Sequence, residues 1–329
     1  MITHFFQKHN IIDTLNKNHN FDIIDNSIKN IHIEVPSNSS SCNIFICKFD
    51  NDENKKVVFR TNIDERFKFL MTVNTKGIFP QILIFNKQYN YCVEKYINGS
   101  QLEFVHLCDI EIVTKIINKI QQLHNITTNK NEYLHIPLFC NILEIQYSNV
   151  LRLTKNMPEF DNIHLLYKYI EYCQDNFINN SSIDNSQIVI SHNDIRIGSL
   201  INSENDIVII NPEHMCFNHW VYDFVNLMEE TRIYFNKNEV DLFVRSDCLN
   251  QFDEFELSAL IYNIDEIIIS AISQTHNICI DLARKYVATY RIYPNIFWYL
   301  WGIEKYYETY DIKFWKYACV RWNRICELL

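Results

Sequence analysis

Ile188-Val-Ile-Ser-His192-Asn193-Asp194-Ile-Arg-Ile-Gly198-Ser199-Leu-Ile, continued by Asp206-Ile-Val-Ile-Ile-Asn211-Pro-Glu213-His214, by Asn218 and by Tyr222-Asp223-Phe-Val-Asn226-Leu-Met-Glu-Glu230, carries the clearest pattern in the chain. Its two β-branched runs, 187–190 and 207–210, predict strands. The first ends in His192, Asn193 and Asp194, the second in Asn211 and Glu213. Apolar strands that deliver acids and amides at their ends make a rigid scaffold with chemistry at the rim.

This stretch resembles the catalytic segment of the choline/ethanolamine kinases, within the wider aminoglycoside-phosphotransferase-like kinases. That family reads His-Asn-Asp-x-x-x-Gly-Asn, a strand, Asp-Phe-Glu-Tyr, an Asn, then Phe-Asp-x-x-Asn-x-Phe-x-Glu. His192, Asn193, Asp194, Gly198, Glu213, Asn218, Asp223, Asn226 and Glu230 fall at the family's spacing without a gap. The resemblance implies an α+β, two-lobed, protein-kinase-like fold. Residues 1–98 would form a small nucleotide-covering lobe with an antiparallel sheet, and residues 99–329 a large, mostly helical lobe carrying the catalytic loop and the substrate site. It makes Asp194 the base, with His192 and Asn193 beside it in the catalytic set.

Two positions depart from the family. Ser199 stands where the family has Asn, and Asn211 where it has Asp, and those residues hold the family's magnesium. A hydroxyl and an amide are poorer ligands than carboxylate for a hard ion. Glu213 is the nearest carboxylate able to compensate. The metal set expected from the resemblance is therefore Ser199, Asn211 and Glu213, with magnesium as the ion and manganese as an alternative, and ATP as the nucleotide.

Working outward, Ile44–Ile46 and Val57–Arg60 read as strand, turn, strand, with Arg60 at the position of the family's phosphate-facing basic residue. Ser40 and Ser41 stand in the loop where the family carries Gly, with an exposed turn as the alternative; for Arg60 the alternative is a solvated strand end; Glu65 is the expected helix partner of Arg60, with Asp64 as the alternative register. Residues 81–85 and 90–94 read as a hairpin, and Tyr96-Ile-Asn-Gly99 matches the family's hinge. Val113, Ile116, Ile117, Ile120 and Leu123 share one helix face, and His124 behind them reads as a packing histidine. Residues 126–186 are helical segments broken by Asn-rich loops.

At the other end, Trp298 and Trp301 lie three apart and project from one helix face. The resembled kinases box the quaternary ammonium of choline with the same Trp-x-x-Trp. Tyr317 falls on the family's Tyr-Ala-x-x-Arg pattern as a third wall, and Glu230 belongs to the same substrate set. Cation–π attraction is the chemistry, worth roughly 0.5–2 kcal/mol per ring. The alternative is that the tryptophans are core. Asp311 is placed to cap the last helix.

Composition sets the outer bounds. The chain has 329 residues, 47% of them hydrophobic, and a net charge of −10. The acidic balance argues against a nucleic-acid backbone as partner, which needs clustered Lys and Arg. Eleven cysteines without a C-x-x-C pair read as free thiols in a reducing compartment. No apolar run reaches the ~18 residues of a membrane span, so a soluble, cytoplasmic protein is expected. His192, His214, His219 and Cys216 invite a metal-hydrolase reading, but their spacing matches no zinc motif.

The resemblance implies phosphorylation of choline or ethanolamine by ATP, giving a phospholipid precursor. A catalytically weakened or dead relative that binds a ligand or a protein partner, and a kinase of another small hydroxylated substrate such as an amino sugar, stay open. The sequence does not separate choline from ethanolamine.

Overall fold

The computed structural model describes residues 11–19, 31–35, 43–49, 55–63, 67, 70, 77–126, 138–155, 158–175, 187–204, 206–235 and 254–329. The chain divides into two compact units, Met1–Ser100 with Ile201–Glu213, and Gln101–Leu200 with His214–Leu329.

The first unit opens with α1 (Ile11–His19), β1 (His32–Glu34), β2 (Asn43–Lys48), β3 (Lys56–Thr61), β4 (Ile82–Asn86) and β5 (Tyr91–Lys95). The strands form one antiparallel sheet in the order β1-β2-β3-β5-β4. Strand period two explains its core. Val57 and Phe59 of β3 point to one face, where Cys47, Val93, Ile11 and Leu15 join them. Arg60 points to the other face, and its guanidinium lies 5.9 Å from the centre of the Phe67 ring. Of residues 64–73 only Phe67 and Leu70 are described, both helical and buried; Glu65, Ser40 and Ser41 lie outside the described residues.

Residues 201–213 group with this unit, whereas the sequence assigned everything beyond residue 98 to the second lobe. Local hydrogen bonds give the reason. The Ile209 N–H donates to the Ile78 carbonyl at 2.8 Å, and the Ser203 hydroxyl donates to the Asn98 carbonyl at 2.7 Å. At Gly99 a Cβ would lie 2.4 Å from the Asn202 carbonyl oxygen, so only glycine allows this approach.

The chain then runs through β6 (Ser100–Gln101), α2 (Ile110–His124), α3 (Phe139–Leu153), α4 (Tyr167–Gln174), β7 (Ile188–Ser191), β8 (Leu200–Ser203), β9 (Asp206–Ile209), β10 (Cys216–His219), α5 (Tyr222–Phe235), α6 (Glu254–Thr275), α7 (Ile280–Tyr290), α8 (Ile292–Thr309) and α9 (Ile312–Leu328). Within the second unit β7 and β10 pair antiparallel, Ser191 opposite Cys216. The Asp109 carboxylate caps α2 by accepting from the Glu111 N–H, and Asp311 caps α9 by accepting from the Lys313 N–H at 3.0 Å. Helix α8 begins at Ile292 and carries Pro294 in its first turn, where a proline forfeits no intrahelical bond. A Cβ at Gly302 would meet the Ala318 Cβ at 3.1 Å, which shows how closely α8 and α9 cross.

Buried charge fixes α5 against its neighbours. Glu229 is fully buried and lies 2.7 Å from Arg291 and 2.7 Å from Arg324. Burial would raise its carboxyl, but Arg324, Arg291 and Arg232 outweigh that and hold it at about 2.

Two histidines set an acid sensitivity. His219 stacks on Tyr290 at 4.3 Å and His276 on Trp220 at 3.7 Å. Burial, with neighbouring histidines, lowers them from 6.5 to about 3 and about 4. Between those values and 6.5 the unfolded chain binds more protons than the folded one, so stability is full above pH 6.5 and is lost as pH falls. Thermal unfolding followed from pH 7.5 to 4 should show a falling midpoint, and His219→Gln should flatten part of that slope. A midpoint unchanged by pH would contradict it.

Candidate active site

The loop after β7 is held from beneath by one fully buried carboxylate. Asp223, in the first turn of α5, accepts the backbone N–H of His192 at 2.9 Å and of Asn193 at 2.7 Å. Its Oδ2 also lies 2.9 Å from His124 Nε2. His124, expected as a packing residue, is therefore a polar partner of the loop's anchor. The reason is its place at the buried end of α2, where an unpaired imidazole would be unfavourable.

Asn193 takes a left-handed backbone, φ 64°, which Asn tolerates better than most residues. Its side-chain amide donates to the Ser191 and His214 carbonyls at 3.0 Å, and its oxygen accepts from Asn218 at 2.7 Å. His192 Nδ1 accepts the Asp194 N–H at 3.2 Å. Both side chains are buried and engaged inside the loop. The third residue of the set, Asp194, carries the loop's carboxylate. The Asp194 carboxylate is 6% exposed and lies 3.2 Å from Arg196 Nε, a partner the sequence reading had not assigned.

Ser199 is fully buried, and its hydroxyl lies 2.8 Å from the Asp194 and Arg196 carbonyls while accepting the Arg196 N–H at 3.0 Å. The serine thus closes the turn that carries Asp194. In the first unit, Asn211 Oδ1 accepts from Arg60 at 3.0 Å and Glu213 Oε1 from Arg60 at 2.8 Å. Glu94 completes the cluster 3.0 Å from Arg60 Nε. Burial opposes the charge on Arg60, but Glu94 and Glu213 outweigh it and hold the guanidinium above its ordinary range. Glu94 was missed by sequence reasoning; its one signal was a carboxylate inside the apolar run Tyr91-Cys92-Val93-Glu94. The Ser199 hydroxyl is bonded to backbone, while in the first unit Asn211 Oδ1 and Glu213 Oε1 face Arg60. Among the described residues no group of three His, Cys, Asp or Glu side chains converges on a metal position.

An aromatic group stands on α8 and α9. Trp301 meets Trp298 edge to face at 5.4 Å, Phe314 at 5.4 Å and Tyr317 at 6.0 Å, and His214 meets Trp298 at 5.0 Å. Trp298 and Tyr317 are buried, while Trp301 is partly exposed. The Trp298 indole N–H donates to Asn226 Oδ1 at 3.0 Å, and the same Asn226 donates its amide to the Ile195 carbonyl at 3.0 Å. One asparagine therefore ties the aromatic group to the loop that presents Asp194. Glu230 forms an ion pair with the fully buried Arg321, which also donates to the Tyr317 hydroxyl at 2.8 Å. Burial raises the Tyr317 hydroxyl well above its ordinary range, and the Asp194 charge adds to the effect.

A mainly antiparallel sheet unit, a mostly helical unit and an aspartate-bearing loop define a kinase-like phosphotransferase. The choline/ethanolamine kinase family profile matches residues 21–325, and the chain belongs to that family. Among solved structures it is similar to an ethanolamine kinase from Plasmodium vivax, with 18% identity and a TM-score of 0.70, covering 95% of this chain and 86% of that one. A choline kinase from Cryptosporidium parvum Iowa II gives 16% identity and a TM-score of 0.67 over 98% and 95% of the two chains. The ADP-bound aminoglycoside phosphotransferase APH(2'')-Ib follows at 14% identity and a TM-score of 0.53, over 97% and 96%. No curated protein matches the chain in sequence. No helix among the described residues is long and apolar enough to cross a membrane.

Proposed function

We propose that this chain transfers the γ-phosphoryl group of ATP to the hydroxyl of choline or ethanolamine. The observation that carries the reading is the link through Asn226, which joins a cation-attracting aromatic group to the Asp194 loop within one unit. An amino alcohol has a cationic head and a hydroxyl a few bonds away, so it needs both features at a fixed spacing. The substrate oxygen attacks the γ-phosphorus, the bond to the β-phosphate oxygen breaks, ADP leaves, and the hydroxyl proton passes to the Asp194 carboxylate. Positioning and charge neutralisation supply most of the rate in such transfers. Arg60 is the nucleotide-facing cation in this reading. The product, phosphocholine or phosphoethanolamine, is a phospholipid precursor.

The partly exposed Trp301 is the ring best placed to meet the ammonium. Trp301→Ala should raise the choline KM by about 2- to 30-fold, the equivalent of one cation–π contact, and leave the ATP KM unchanged. A parallel loss in both, with a lowered melting temperature, would mark the ring as core.

A second reading, a relative that binds its ligands without transfer, is favoured by the engagement of Ser199, Asn211 and Glu213. Product formation separates the two. Restoring the family's Asp with Asn211→Asp alone, which leaves the Ser199 turn intact, should raise kcat in the first reading and leave a dead relative inactive.

A further inference from the structure

The buried guanidinium of Arg60 sits among three oxygens brought in from two segments, β5 and residues 211–213. Glu213 Oε1 lies at 2.8 Å, Asn211 Oδ1 at 3.0 Å and Glu94 Oε1 at 3.0 Å. Two carboxylates and an amide oxygen are the hard donors a divalent ion selects. Here a cation of the chain's own holds them. The guanidinium is 3% exposed, and the Phe67 ring lies 5.9 Å from it. Asn211 is fixed in a left-handed backbone, φ 64°, which sets the direction of its amide.

Charge decides what this cluster accepts. With Arg60 in place, two carboxylates face one guanidinium. A divalent ion added beside it would put like charges together in a buried site, and one that displaced Arg60 would strand a buried charge, which is strongly unfavourable. Without the guanidinium, the two carboxylates match a divalent ion in charge. We propose that Arg60 is the resident cation of this donor set: it takes the position a divalent metal would occupy at Glu94, Asn211 and Glu213, and ATP binding does not depend on a metal held there. The proposal rests on the nucleotide-binding part of the reading above and narrows it.

The test uses the full chain and has two arms. In the first, ATP binding is measured by calorimetry in EDTA and in excess magnesium, for the wild type and for Glu213→Gln. The dissociation constants of the wild type should agree within about threefold, or differ by a factor that Glu213→Gln leaves unchanged, since the ion then rides on the phosphates alone. A magnesium-dependent gain of about 30-fold or more that vanishes in Glu213→Gln would overturn the proposal and leave the kinase reading standing. Failure to bind ATP under both conditions would overturn both. In the second arm, Mn²⁺ without nucleotide is titrated by water-proton relaxation. The wild type should show no binding that Glu213→Gln removes. Arg60→Met should gain a Mn²⁺ site that a second change, Glu213→Gln, abolishes. Binding of Mn²⁺ by the wild type that is lost in Glu213→Gln would overturn the proposal without any need for the Arg60 variant to fold.

Discussion

Asp194→Asn should lower kcat for phosphoryl transfer by about 10²–10⁴-fold while leaving the ATP dissociation constant nearly unchanged. The substitution keeps the size of the side chain and removes its capacity to accept a proton. The loop should keep its shape, because its holding bonds run to Asp223, Asn218 and Ser199 and not to the Asp194 carboxylate. The charge of the pair with Arg196, at 3.2 Å, is lost, but an asparagine oxygen in the same place can still accept from Arg196 Nε. Rapid-quench measurement of phosphorylated product, with calorimetry for ATP, checks both halves. Unchanged turnover would remove Asp194 from the mechanism.

Asp223→Ala should be the most destabilising single change in the second unit. The side chain is fully buried and receives two backbone N–H groups and the His124 ring. Removing it leaves buried donors without acceptors and an opened cavity, a loss of about 3–5 kcal/mol. The melting temperature should fall by on the order of 10 °C for a chain of this size. His124→Ala removes only one of the three bonds and should fall by less. Because the two backbone bonds orient the catalytic turn, Asp223→Ala should also lose transfer below its new melting temperature. A variant that melts normally would contradict the anchor role. His124→Ala melting below Asp223→Ala would place the anchor in the histidine instead.

The stretch around Asp194 was legible because its pattern is local. His192, Asn193 and Asp194 follow directly on a β-branched run, and strand β7 ends just before them. The antiparallel strands of the first unit were legible for the same reason, since period two and turn residues are written in short windows. What each polar side chain binds was not legible. Arg60 could be placed at a strand end, but its partners come from β5 and from residues 211 and 213, and nothing local pairs them. Ser199 read as a poor ligand from its residue type; that its hydroxyl closes the Asp194 turn required the backbone path of residues 194–199. The Trp298 and Trp301 spacing gave a shared helix face, while the Asn226 bond joining Trp298 to the loop spans distant segments. The grouping of residues 201–213 with the first unit rests on similar long-range bonds, such as Ile209 to Ile78.

The loop carrying Asp194 and the aromatic group tied to it by Asn226 are expected to serve phosphoryl transfer to an amino alcohol. The wild-type chain can be incubated with γ-labelled ATP and choline, ethanolamine or neither, with Asp194→Asn alongside, and labelled phosphoamine separated from free phosphate. Labelled phosphocholine or phosphoethanolamine should form with the wild type, depend on the added amino alcohol and be absent from Asp194→Asn. ATP bound by the wild type with no labelled product from either alcohol, or equal product from Asp194→Asn, would contradict it.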